Sequence, residues 1–164
     1  MAIPYRGWTG HDTYFVTAST AGKRGVLQSE RMAGLFIENL YHYREQGKYL
    51  LHEFVVMPNH FHLLLTPAVT LERSLQLIKG GFSYRARKEL HFIGDIWEGS
   101  FHDRRVRDAA EYERLRNYIR KNPVRARLPA AEQFRFSFAN PNWVLDEVPQ
   151  RLKPVPLAAM ESQS

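Results

Sequence analysis

His60-Phe61-His62 places two imidazoles two residues apart. On a β-strand, residues i and i+2 leave the same face, so both rings share one side while Phe61, Leu63 and Leu65 share the other. Neutral imidazole is a good ligand for divalent metals, and two neighbouring rings offer adjacent coordination positions. So short a pattern also fits two half-exposed strand histidines bonded to neighbours or water, and on its own it favours that plainer reading. Tyr118 is the second reactive group. A phenol with its usual pKa of about 10 is a poor nucleophile until a metal or a cation stabilises its oxyanion. Asn122 follows four residues later, on the same side of any helix through this region. Its amide oxygen would harden a two-histidine site towards Mg or Mn. A tyrosine three residues after Leu115 also suits the edge of a core.

The charge surrounding these groups is uneven. The 164-residue chain has 23 Lys plus Arg and 17 Asp plus Glu, a net charge of +6. Between Arg104 and Arg127 stand nine basic residues: Arg104, Arg105, Arg107, Arg114, Arg116, Arg120, Lys121, Arg125 and Arg127. Only Asp108, Glu111 and Glu113 oppose them, so this stretch alone carries +6. A solvated helix face would mix signs more evenly, and such concentration points to phosphate binding. Lys79, Arg85, Arg87 and Lys88 form a second basic group. From the two groups, Lys79, Arg85, Arg104, Arg105, Arg114, Arg120, Lys121 and Arg125 are the expected nucleic-acid contacts. Trp97 and Phe101 are aromatic residues among these charges that could stack on unpaired bases.

Composition removes other chemistries. The absence of cysteine excludes disulfides, thiolate zinc sites and thiol nucleophiles. No apolar run approaches the roughly 18 residues of a membrane span, and Met1 to Gly10 lacks the apolar stretch of an export signal. The expectation is a cytoplasmic protein with a negatively charged partner and no membrane contact. No G-x-x-x-x-G-K-[ST] motif occurs, and no carboxylate pair for water activation is apparent.

The elements that must position these groups follow from periodicity. Residues 11–21 alternate as a strand, with Tyr14, Val16 and Ala18 on one face and Phe15 and Thr17 on the other. Ser29 caps a helix bearing Ala33, Phe36, Ile37, Leu40 and Arg44 and ending near Gly47. Residues 49–57 and 60–66 pair as a hairpin across Pro58-Asn59. Thr70 starts a second helix, interrupted by Gly80-Gly81 at about 1 kcal/mol per Gly relative to Ala, which predicts close packing on the sheet or, less favoured, close approach of a ligand backbone. A weaker strand spans 100–107. Asp108 caps a third helix on Tyr112, Leu115 and Ile119, predicted to end near Lys121 or Asn122 because of Pro123. The order β-α-β-β-α-β plus a helix predicts an α+β, ferredoxin-like sheet with an additional C-terminal helix carrying the tyrosine. Two helices should cover one face and leave the histidine face open. Residues 1–128 read as one domain. Residues 129–164, rich in Pro, read as an extension in which Phe134, Phe136, Phe138 and Trp143 pack and the last dozen residues stay loose.

Three blocks in order, Val56-Met57-Pro58-Asn59-His60-Phe61-His62-Leu63-Leu64-Leu65, Ile96-Trp97-Glu98-Gly99-Ser100-Phe101-His102-Asp103-Arg104 and Tyr118-Ile119-Arg120-Lys121-Asn122-Pro123-Val124-Arg125-Ala126, resemble the single-tyrosine HUH transposases of small bacterial insertion sequences. The last block is most similar to the branch associated with repetitive extragenic palindromes (REP). The resemblance spans roughly residues 10 to 128. It implies a transposase that cleaves and joins single-stranded or hairpin DNA through a 5′-phosphotyrosine link made by Tyr118. His60 and His62 would hold a divalent metal, Mg or Mn. The third ligand in typical relatives is a glutamine four residues after the tyrosine, where this chain has Asn122. Relatives include dimers and monomers. The alternatives are a non-catalytic ferredoxin-like nucleic-acid-binding module and a rolling-circle replication initiator. The first usually carries aromatics where His60, His62, Leu64 and Glu53 stand, and the flanking blocks resemble the second less.

Overall fold

The computed structural model describes residues 11–129, 136 and 140–154. Strands β1 (Tyr14–Ser19), β2 (Tyr49–Met57), β3 (His60–Pro67) and β4 (His102–Arg105) form one antiparallel sheet in the order β2-β3-β1-β4. Helices α1 (Glu30–Glu45) and α2 (Leu71–Leu90) link the strands, and α3 (Ala109–Arg125) follows β4. This is the expected ferredoxin-like order with its added helix. Each helix starts on the expected cap: Ser29 accepts from Met32 N–H (3.2 Å), Thr70 from Arg73 N–H (3.1 Å) and Asp108 from Glu111 N–H (2.8 Å). A cap of this kind stabilises a helix by about 1 kcal/mol.

The first face of the sheet carries the main core. Val16 and Ala18 of β1, Phe54 and Val56 of β2, and Phe61, Leu63 and Leu65 of β3 meet Phe36 and Leu40 of α1 and Ile78 and Phe82 of α2. Trp97 belongs to this core. Its ring lies 5.9, 5.4 and 5.7 Å from those of Phe36, Phe61 and Phe82, and its indole N–H donates to the Lys79 carbonyl at 2.9 Å. Phe101 packs on the same cluster. Both candidates for base stacking are thus partly buried against the core. Gly81 is closely packed, but against α1 and not on the sheet as expected: a Cβ built there would sit 2.7 Å from Asn39 Oδ1 of α1. Gly80 has nothing within 4 Å of that position, so packing accounts for only one of the pair.

The second face differs from expectation. It is covered, because α3 lies across it and buries Tyr112 and Ile119 against Val55, Met57, Leu64 and Val106, together with Phe136 and Leu152. An amphipathic helix must place its apolar stripe somewhere, and Val55, Met57 and Leu64 give it that surface. Helix α3 also runs beyond its predicted end, through Pro123 to Arg125. Proline lacks the N–H that would bond the carbonyl four residues back. Here its ring is buried, and Ala126 N–H still reaches the Asn122 carbonyl at 3.0 Å.

The open edge of β2 is closed from outside. Asp146 exchanges backbone and side-chain bonds with Leu51: Asp146 N–H to the Leu51 carbonyl (2.7 Å) and Leu51 N–H to Asp146 Oδ2 (2.8 Å). Arg44 grips the same carboxylate at 2.6 and 2.9 Å, and Phe136 bridges Val55. Trp143 packs 5.2 Å from Phe54. Phe134, Phe138 and the last ten residues of the chain lie outside the described residues.

Candidate active site

The antiparallel register of β1 and β3 sets Thr17 opposite His62 and Ser19 opposite His60. Alternation sends Phe61 into the main core and both histidines to the α3 face. There the two imidazoles meet edge to face, with centroids 4.9 Å apart. His62 is 4% exposed and stacks on Phe15 at 5.3 Å. Helix α3 crosses this spot with Tyr118 and Asn122 on one flank of its buried stripe. The Tyr118 ring lies edge-on to His62 at 5.3 Å and edge-on to Phe15 at 6.0 Å, and the residue is 41% exposed. Asn122 Nδ2 comes within 3.4 Å of His62 Nε2, and Asn122 lies near enough to His60 to raise its pKa against the larger effect of burial. The structure thus brings together His60, His62, Tyr118 and Asn122, the four residues singled out in the sequence.

Both imidazoles are held neutral. Burial, the neighbouring His60 ring and Arg125 push the His62 pKa down to about 3. Burial and Lys23 lower that of His60, against a smaller opposing effect of Asn122. Neutral imidazole is the form that binds metal. The remaining ring nitrogens are engaged elsewhere: His60 Nδ1 with Asn59 Oδ1 and His62 Nδ1 with Thr17 Oγ1, both at 2.7 Å. Two neutral nitrogen donors and an amide within reach of both form a donor set that fits a divalent ion with mixed N and O preference. No group of three or more His, Asp, Glu or Cys able to hold a metal occurs among the described residues. The amide is therefore needed for a third protein ligand. Thr17 and Asn59 escaped the sequence reading, although the hairpin turn and strand alternation already put them beside the pair.

The basic residues fall into two groups. On the α3 side, Arg125 places its guanidinium carbon 4.5 Å from the Tyr118 ring centroid and donates to the Tyr118 carbonyl at 3.3 Å. Lys121 is exposed on the same helix. Arg104 and Arg114 reach the buried Glu111 carboxylate at 2.8 and 3.9 Å, and Arg105 lies 3.7 Å from Asp12. Arg120 pairs with buried Glu53 at 3.1 Å. Lys79 and Arg85 sit on α2, behind the opposite face. Lys79 donates to the carbonyls of Glu98 and Ser100, and Arg85 pairs with Glu38 and Glu89. The structure does not bring these two to the Tyr118 site. A cleft of about 450 Å³ lined by Glu53, Tyr112, Arg116 and Arg120 opens on the other flank of α3. Its carboxylate and arginines are already paired across it.

Known proteins place this arrangement. A structure described as a REP-associated tyrosine transposase bound to a REP hairpin matches with a TM-score of 0.65 at 17% identity, covering 94% of this chain and 95% of that one. At that identity the likeness shows the fold. A second, from Deinococcus radiodurans R1 and designated a transposase, matches with a TM-score of 0.51 at 26% identity, covering 74% of this chain and 97% of that one. No curated protein matches. The sequence model of the family described as "Transposase IS200 like" matches residues 12–122, a span that begins before β1 and ends on Asn122. With that span covering most of the chain and all four residues of the site, the protein belongs to the IS200-like transposase family.

Proposed function

We propose that this transposase is a metal-dependent single-stranded DNA transesterase that cleaves and rejoins strands at hairpin or palindromic sequences, with Tyr118 as nucleophile. The observation that carries this reading is the contact of the Tyr118 and His62 rings within one chain, with Asn122 reaching both imidazoles. The phenol oxygen attacks the scissile phosphorus, forming a bond to the 5′-phosphate and releasing its proton to solvent, which in turn supplies the proton taken up by the leaving group. The P–O3′ bond breaks, and the departing 3′ oxygen takes a proton to become a free hydroxyl. Reversal with a different 3′-hydroxyl rejoins the strands. One ester replaces another, so no nucleotide cofactor is required.

His60, His62 and Asn122 would hold the divalent ion, Mg or Mn, which supplies positive charge at the scissile phosphate when bound. Phe15 and His62 flank the phenol and fix its approach. Arg125 covers one face of the ring, and Lys121, Arg114 and Arg104 would meet the DNA backbone beside it, whereas Arg105, paired with Tyr14, leaves β4 on the opposite face. The hairpin carried by the REP-associated relative supports a hairpin as the ligand. Residues 1–128 would be the catalytic unit and 129–164 an extension, of which Phe136, Trp143, Leu145 and Leu152 pack on it. All four active groups come from one chain, so a monomer is sufficient.

The test is incubation with Mn²⁺ and 5′- and 3′-labelled single-stranded hairpin oligonucleotides. Wild type should become covalently joined to a 5′ end. Tyr118→Phe should lose the adduct while binding DNA within a few fold of wild type. His60→Ala with His62→Ala should lose metal-dependent cleavage. Persistence of the adduct in Tyr118→Phe, with loss in Tyr112→Phe, would overturn the assignment. Tyr112 is the poorer candidate, since it is 7% exposed and burial pushes its phenol pKa upward.

A further inference from the structure

We propose that Asn59 and Thr17 are positioning residues that fix both histidines as Nδ1–H tautomers, leaving each Nε2 bare as a ligand atom before any metal arrives. The inference rests on the two-histidine reading of the site. Asn59 sits in the β2–β3 turn, and its own orientation is determined by its surroundings. Its Nδ2 donates to the Lys23 carbonyl at 3.4 Å, which leaves Oδ1 to face His60 Nδ1 at 2.7 Å. An amide oxygen can only accept, so the proton of that bond belongs to His60 Nδ1 and its Nε2 keeps a lone pair. The turn is itself pinned, because the Asn59 carbonyl accepts from Thr20 N–H at 2.9 Å and Thr20 Oγ1 at 3.1 Å.

Thr17 acts on the other ring from the neighbouring strand. It stands directly opposite His62, with Oγ1 2.7 Å from Nδ1. A hydroxyl can donate or accept, and the opposite edge of the ring decides between them. His62 Nε2 faces the amide N–H of Asn122 at 3.4 Å, so Nε2 is the acceptor, Nδ1 carries the proton and Thr17 accepts it. Metal-binding histidines commonly depend on such partners for ring orientation and basicity. Here the partners are a side-chain amide and a hydroxyl, one from the turn and one from the adjacent strand.

The test begins with metal-free wild type, in which long-range ¹H–¹⁵N imidazole spectra should show Nδ1–H tautomers for both His60 and His62. Mn²⁺ affinity is then measured by calorimetry on variants whose melting curves show a folded state. Asn59→Ala and Thr17→Val should each weaken Mn²⁺ binding by about 10- to 100-fold, with the tautomer released at the affected ring. Asn59→Asp and Thr17→Ser keep an acceptor and should stay near wild type. An Nε2–H tautomer for either ring in wild type overturns the proposal. So do unchanged tautomers and unchanged Mn²⁺ affinity in Asn59→Ala and Thr17→Val. If the tautomers behave as stated but no form of the protein binds Mn²⁺, the positioning role stands and the metal reading of the site falls.

Discussion

Adjacent glycines in α2 should respond to the same substitution with opposite signs. Each Gly→Ala change in a helix interior gains about 0.8–1.0 kcal/mol of intrinsic helix propensity. At Gly80 nothing opposes that gain, since a Cβ there has no neighbour within 4 Å. At Gly81 the new methyl would lie 2.7 Å from Asn39 Oδ1, 3.1 Å from Asn39 Nδ2 and 2.9 Å from Tyr43 Cε2. Asn39 cannot simply yield, because it is buried and its Nδ2 donates to the Ile78 carbonyl at 2.9 Å. Overpacking of this kind costs about 1–3 kcal/mol, and displacing the amide adds roughly 1 kcal/mol for the lost hydrogen bond. Gly80→Ala should therefore stabilise the protein by about 1 kcal/mol and Gly81→Ala destabilise it by about 1–3 kcal/mol. For a protein of this size the pair should differ in Tm by roughly 4–16 °C. Urea unfolding of the two variants, with unchanged dependence on denaturant, measures the gap directly. If Gly81→Ala proves as stable as Gly80→Ala, the close approach of α1 and α2 argued from the Asn39 contact is wrong.

Three further outcomes are expected. His52 is buried between the Asp146 carbonyl and Thr66 Oγ1, and burial, against the weaker pull of Asp146, lowers its pKa from 6.5 to about 4. The unfolded chain takes up this proton below about pH 6.5 while the fold refuses it until about pH 4, so stability should fall as pH drops through that window, by up to about 3 kcal/mol in total. His52→Gln should flatten that part of the profile in urea titrations at successive pH values; an unchanged slope would refute the assignment. Arg120→Ala removes the closer of the two cations at buried Glu53 and should destabilise the fold by about 2 kcal/mol, below the value for a fully buried pair because Arg120 is one-third exposed. The double variant with Glu53→Gln should recover much of this loss in thermal melts, and failure to recover would show that Arg120 matters for packing alone. Finally, if about five basic side chains contact phosphates, single-strand binding should weaken with salt at a log–log slope of about −3.5. A nearly flat dependence in a fluorescence titration would exclude the basic face as the DNA contact.

Much of the fold was legible because local signals agreed. Ser29, Thr70 and Asp108 announced three helices, and Pro58-Asn59 between two apolar runs announced the hairpin. The alternation at Phe61, Leu63 and Leu65 correctly separated the core from the histidine face. Long-range placement escaped the reading. The stripe of Tyr112 and Ile119 showed that α3 was amphipathic but not which surface it would cover, so a covered face was read as open. Pro123 signalled a helix end that burial of its ring overrides. Trp97 lay among charges in sequence, yet its register against Phe36 and Phe82 commits it to the core. The site was legible in its residue types, since His60, His62, Tyr118 and Asn122 do converge. Lys79 and Arg85 were grouped with the site by charge alone, and helix α2 carries them behind the sheet.

The cover on β2 bears on how the protein can be divided. Asp146 and Phe136 occupy the flank of a nine-residue strand that is buried along its whole length. A fragment stopping at residue 128 would keep every group of the active site but bare that strand's backbone donors and acceptors, together with Val55 and Phe54. A long apolar edge recruits further strands. Such a fragment should therefore self-associate, whereas in the full chain Phe136 and Asp146 cover that edge.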